Sequence, residues 1–194
     1  MASPEKHYHA VQFYKDEASL AGTVAQFLAD GLVIGQPGLV MSTPMHADSI
    51  VRELASRGVD VQAVRTTGEL QFFDARKALL SFMVGDLPDP VLFRNRIGEV
   101  IEQLCGGRKP CPIRAYGEMV DLLWQDGNVE GAIKVEILWN RLGDKFSFAL
   151  LCGYAMGNFY KQPKQLEDIC ALHTHVTGPD NVFPFDPTRI ARSA

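Results

Sequence analysis

Three groups of side chains in this sequence stand where chemistry needs them. The first is Glu118, which comes directly after Gly117 and the short run Ile113-Arg-Ala-Tyr116. In an α/β sheet the carboxyl end of a central strand is where ligands sit, so a glycine followed at once by a carboxylate marks a candidate binding residue. The plainer alternative is a tight strand exit with Glu118 facing water. The second group is Glu136 and Asn140. At about 100° per residue they fall among Val129, Ala132, Ile133 and Trp139, while Glu130, Lys134 and Arg141 gather on the opposite side. A carboxylate on an apolar helix face must be paired, be protonated or line a pocket. A structural tie, to Arg114 or to a backbone amide, meets the same demand. The third is His173, on a stripe with Leu166, Ile169 and Cys170, which reads either as a ligand or proton acceptor or as a satisfied core histidine.

The cysteines carry a weaker signal. Cys105, Cys111, Cys152 and Cys170 include no Cys-x-x-Cys pair, and Cys170, His173 and His175 lack a second ligand group at a recognised spacing. Four reduced thiols, no bound metal and no cofactor are expected. No strand-turn-helix motif brings a serine and a histidine together as a triad requires, so the chain reads as non-catalytic.

The elements that must position these groups follow from patterning. His9-Ala-Val-Gln-Phe-Tyr14 alternates as a first strand, and Leu20, Val24, Phe27 and Leu28 recur at helical spacing through Gly31. Between them lies Lys15-Asp-Glu-Ala-Ser19, the place of a phosphate loop. It has no glycine, no Gly-Lys-Ser/Thr and two acidic side chains, so it suits no phosphate. Gly38-Leu-Val-Met-Ser42 is a buried strand, and Thr43-Pro44 opens a helix that stops at Gly58. Residues 59–64 are predicted as a third strand and 70–73 as another, with Asp74 capping a helix through Phe82. Asp89-Pro90 starts a helix that ends at Gly106-Gly107, and Asp126-Gly-Asn128 turns into a helix over residues 129–142. Phe146-Ser-Phe-Ala-Leu-Leu-Cys152 is a late strand with Tyr154 at its end, and Pro163 opens the last helix. The fold class is therefore α/β: three layers, with a mostly parallel sheet flanked by helices. Parallel crossover from 113–116 to 146–152 predicts that Tyr116, Glu118, Glu136, Asn140 and Tyr154 line one cavity at the carboxyl edge, with Tyr14 and Trp139 as further aromatic walls.

Composition bounds the rest. A chain of 194 residues with 46% hydrophobic and 22% charged residues fits one soluble domain. A net charge of −4, without a basic cluster, argues against direct nucleic-acid binding. The start has no signal-like segment and no apolar run spans a bilayer, so a cytoplasmic protein is expected. Residues 1–8 read as a disordered start, 9–177 as the domain and 178–194 as an irregular tail with Pro179, Pro184 and Pro187.

Taken together, His9 to Tyr14, Arg114-Ala-Tyr-Gly-Glu-Met119, Glu136-Ile-Leu-Trp-Asn140, 146–154 and Ile169-Cys170 through His173 resemble the MEDS family, the methanogen/methylotroph DcmR sensory domain. The resemblance spans about 9 to 177. It implies a fold similar to the RecA/KaiC-type ATPase core with a degenerate phosphate loop. It also implies a sensory role toward a small molecule, hydrocarbon derivatives being the class proposed for the family, on behalf of a histidine kinase or transcriptional regulator. Self-association as a homodimer stays open, as do the alternatives of an ATPase-like nucleotide binder and a ligand-free interaction module.

Overall fold

The computed structural model describes residues 8–159 and 163–178. Strand β1 (Tyr8–Tyr14) leads into α1 (Glu17–Val33), β2 (Gly38–Ser42), α2 (Pro44–Ser56), α3 (Val61–Thr66) and β3 (Leu70–Asp74). After α4 (Ala75–Leu80), a two-stranded hairpin of β4 (Met83–Val84) and β5 (Leu87–Pro88) precedes α5 (Pro90–Cys105). The chain then runs through β6 (Ile113–Gly117), α6 (Met119–Gln125), α7 (Val129–Leu142), β7 (Phe148–Ala155), α8 (Pro163–Ala171) and β8 (His175–Thr177). The main sheet has the order β3-β2-β6-β7-β1-β8, and every neighbouring pair in it is parallel.

Both faces of the sheet are covered, which completes the three-layer α/β architecture. Ala10, Tyr14, Val40, Tyr116 and Leu151 face Leu28 of α1 and Ile50 and Leu54 of α2. Alternate residues of the same strands, among them Val11, Leu39, Ala115 and Leu150, face α5 to α8. A strand sends successive side chains to opposite faces, so β6 presents Ile113 and Ala115 to one core and Arg114 and Tyr116 to the other.

Helix starts follow the capping residues of the sequence. Asp16, Thr43, Asp74, Asp89 and Asn128 each accept a backbone N–H of their own helix, and Pro44 and Pro90 occupy first-turn positions that need no N–H. Three sequence expectations are corrected. The helix expected from Leu20 begins at Glu17, because Asp16 accepts from Ser19 N and caps it, so 17–19 are helix and not loop. Residues 59–64 are not a strand: Asp60 accepts from Ala63 N at 3.0 Å and starts α3, in which Val61 is buried and Val64 half-buried one turn on. The cysteines are not all reduced. Cys105 and Cys111 form a disulfide, because Gly106 and Gly107, with φ of 54° and 82°, fold the chain back at the end of α5. Cys152 and Cys170 are free. Strand β8 is an element that the sequence reading lacked, while the expected disordered start and proline-rich tail fall, but for Tyr8 and Gly178, outside the described residues.

One close approach ties the fold to the site. A Cβ on Gly153 would stand 2.8 Å from Tyr116 Oη and 3.2 Å from its ring, so only glycine lets that ring lie across β7. Gly153→Ala is expected to lower stability by about 1–3 kcal/mol through overpacking. Gly157→Ala, where an added methyl meets nothing within 4 Å, leaves it unchanged. Urea midpoints of the two variants decide the matter.

Candidate functional site

The carboxyl ends of β1, β2, β6 and β7 surround a cleft of about 350 Å³, lined among others by Tyr14, Lys15, Asp16, His46, Glu118 and Asp121. Helix α1 leaves β1 on one face of the sheet and α6 leaves β6 on the other, and such divergence opens a crevice at the carboxyl edge. Glu118 forms its floor and is 2% exposed, so the water-facing alternative is wrong. Its carboxylate accepts from Thr43 N at the start of α2, from the His46 ring at Nδ1, and from Tyr116 Oη at 3.1 Å. Because an ionised carboxylate only accepts, the ring nitrogen facing it carries the proton.

Asp121, one turn along α6, is held as firmly. Tyr14 Oη and Gln125 Nε2 donate to one oxygen at 3.0 and 2.8 Å. Ala155 N and Asn158 Nδ2 donate to the other at 2.9 and 2.6 Å. Burial pushes the Asp121 carboxyl up from its ordinary value, and these donors pull it back. The same burial, joined by Asp121, raises the Tyr14 phenol. At the mouth, Asp16 accepts from Ser19 N at 2.8 Å and Glu17 stands in the first turn of α1. The helix terminus that would meet a phosphate thus carries its own carboxylates.

Glu136, Asn140, Tyr154 and His173 do not share this cleft. The parallel crossover holds, with Gly117 paired in register to Cys152, so Glu118 and Tyr154 leave the sheet at the same edge. The single cavity does not hold, because the side chains at β7 positions 152 and 154 face α7 while Tyr116 faces α1. Instead, a second and fully buried polar cluster lies between the sheet and α7. Glu136 Oε1 accepts from Tyr154 Oη at 3.0 Å, and Oε2 lies 3.1 Å from His9 Nε2 and 3.3 Å from Cys152 Sγ. Asn140 Oδ1 lies 2.9 Å from His9 Nδ1, and the His173 ring lies tilted against His9 with ring centroids 4.2 Å apart. Burial alone would raise the Glu136 carboxyl, but His173 and His9 outweigh it and hold the group below the usual carboxylate range. Arg114 is not the partner of Glu136: strand alternation turns it toward α1, where it donates to Phe27 O and Gln36 Oε1. Trp139 is a core residue, edge-to-face with Phe93 and Phe148.

Sequence reasoning missed His46, Asp121, His9 and Cys152 as site residues. The alternation of His9, Val11 and Phe13 was a usable signal for His9, since it puts that ring on the face of the core. Nothing in the apolar run around Cys152 marks it. A separate groove of about 410 Å³ lies beside the disulfide, near Arg108, Lys145 and Phe146, at the amino ends of β6 and β7.

A three-layer α/β domain with an all-parallel main sheet, a walled acidic cleft at its carboxyl edge and an aspartate cap on the helix after β1 is the class that fold and site define. Residues 8–174 match the family model of the MEDS domain, the MEthanogen/methylotroph, DcmR Sensory domain, and the chain belongs to that family. Its family is one of sensory domains. No curated protein matches the chain. Among the described residues no helix is long and apolar enough to cross a membrane.

Two outcomes test this geometry. His46 is held above its ordinary value by its hydrogen bond to Glu118, against the opposing effect of burial. A raised folded-state value means stability that is fully present below the unfolded value and lost as pH rises through the folded one. The stability gap between wild type and His46→Gln should therefore be widest below about pH 6.5 and close toward alkaline pH. A gap independent of pH would show that His46 does not titrate against Glu118. On α7, Glu136→Ala strips Tyr154 and His9 of their partner and should cost about 1–3 kcal/mol or more. Exposed Glu130→Ala leaves the denaturation midpoint in place.

Proposed function

We propose that this chain is a non-catalytic sensory domain that takes a small molecule into the carboxyl-edge cleft and relays occupancy to a partner. The partner in this reading is a histidine kinase or transcriptional regulator in the cytoplasm. The observation that carries the reading is the cleft itself: a concave site at the strand ends, with Tyr14, Met45 and Leu122 as apolar walls and polar groups already fixed by neighbours. Its carboxylates favour a small neutral or cationic molecule, hydrocarbon derivatives included, over a phosphate ester. The fold is compatible with descent from a RecA/KaiC-type core. The Asp16 cap and Glu17 count against retained nucleotide chemistry, because triphosphate binding needs bare backbone N–H groups and a lysine at that helix start. His46 on Glu118 has the form of a general base. Among the described residues lining the cleft there is no serine or cysteine for it to activate.

Thermal unfolding with Mg-ATP and with a panel of short alcohols, methylamines and halomethanes tests the reading. Mg-ATP should not move the transition. A panel member that binds should stabilise the fold by about 2.7 kcal/mol at a hundred times its dissociation constant. Met45→Trp, which fills the cleft mouth without touching the saturated carboxylates, should abolish that gain. Micromolar Mg-ATP binding would overturn the proposal in favour of the ATPase-like alternative, and a panel without effect would favour the ligand-free interaction module.

A further inference from the structure

We propose that His9, Glu136, Cys152 and His173 form a closed, four-coordinate site for a divalent transition metal of the zinc class. This inference is independent of the cleft. The four residues come from β1, α7, β7 and the turn after α8, and their ligand atoms all lie within 4.8 Å of one another. His9 Nε2 is 3.1 Å from Glu136 Oε2 and 3.3 Å from Cys152 Sγ, and Cys152 Sγ is 3.3 Å from the same carboxylate oxygen. His173 Nε2 is 3.4 Å from Glu136 Oε1. A tetrahedron with bonds of about 2.0–2.3 Å has edges of about 3.3–3.7 Å, so the three separations among His9 Nε2, Glu136 Oε2 and Cys152 Sγ are already close to those of a ligand shell. His173 Nε2 lies within 4.8 Å of the other three ligand atoms, and an inward shift of its ring completes the shell.

The surroundings prepare the two imidazoles for metal. Asn140 Nδ2 donates to Leu172 O at 3.1 Å, which turns Asn140 Oδ1 toward His9 Nδ1. His173 Nδ1 lies 2.7 Å from Ile169 O, an acceptor only. In the neutral rings each Nδ1 therefore carries the proton, and each Nε2 turns its lone pair into the cluster. The His173 side chain is 0% exposed, and its Nε2 has no hydrogen-bond partner. That atom faces the Glu136 carboxylate and lies within 4.8 Å of the other ligand atoms. Tyr154 occupies Glu136 Oε1 and leaves Oε2 to face His9 and Cys152. One carboxylate and one thiolate also cancel a 2+ charge, which removes the electrostatic penalty of burying an ion between sheet and helix. Two imidazoles, a thiolate and a carboxylate select zinc over magnesium or calcium, which prefer all-oxygen shells. The sequence hid the site because its ligands are separated by 127, 16 and 21 positions in the chain (136 − 9, 152 − 136, 173 − 152), where zinc signatures are short.

Elemental analysis of the full chain, expressed with zinc in the medium and desalted, tests the site together with cobalt(II) substitution. About one metal per chain is expected, as is a thiolate-to-cobalt charge-transfer band with tetrahedral visible bands. Cys170→Ser should keep both. Asn140→Ala, which releases only the His9 ring, should weaken zinc affinity about ten- to a hundredfold. Cys152→Ser and His173→Gln should lose stoichiometric metal. Should either fail to fold, the charge-transfer band in wild type and in Cys170→Ser still assigns the sulfur to Cys152. Metal-free protein whose melting does not move with added zinc overturns the site, as does a band that vanishes in Cys170→Ser.

Discussion

A buried carboxylate must find donors on every side, and Glu118 meets that demand by drawing three segments together. It reaches the backbone N–H of Thr43 where β2 becomes α2, the ring of His46 in the first turn of that helix, and the phenol of Tyr116 on its own strand. The adjacent strands β2 and β6 are thereby tied at their carboxyl ends as well as along their ladder. Asp121 does the same for β1 and β7, through Tyr14 and the N–H of Ala155. Removing either carboxylate would leave several donors unsatisfied in a dry place, which is why such groups behave as parts of the frame.

This frame shapes what the cleft offers a ligand. The carboxylates at its floor are already spent on the protein, so they present a fixed negative field with few free hydrogen-bonding positions. At the mouth Asp16 serves α1 as its cap, and with Glu17 it adds negative charge at that helix terminus. The buried cluster around Glu136 is of a different kind. It sits on the other face of the sheet, away from the cleft, and joins β1, β7, α7 and the residues after α8, so its charge state bears on how the last part of the chain is fastened to the core.

The elements that the sequence revealed are those governed by local rules. Caps and prolines place the starts of α2, α4, α5 and α7, and apolar runs place β1, β2, β3, β6 and β7, whereas α1 starts at its Asp16 cap, ahead of the expected Leu20. Residues 59–64 misled because two valines at alternate-looking positions outweighed Asp60, whose cap decides for a helix. The disulfide escaped because pairing at a separation of six depends on the reversal at Gly106 and Gly107.

By itself the sequence determined the layer architecture, the burial of Glu136 on an otherwise apolar helix face, and the acidic, glycine-free character of Lys15 to Ser19. Those follow from periodicity and from charge, which are properties of neighbouring residues. Only the tertiary structure decided which polar groups meet. Tyr116 and Tyr154 both end strands at one edge, yet strand alternation and register send them to opposite faces, one to Glu118 and the other to Glu136. His9 and His173 lie at opposite ends of the domain in sequence and meet in space because β8 pairs with β1. Contacts of that range are set by the order of strands in the sheet, which no local pattern encodes.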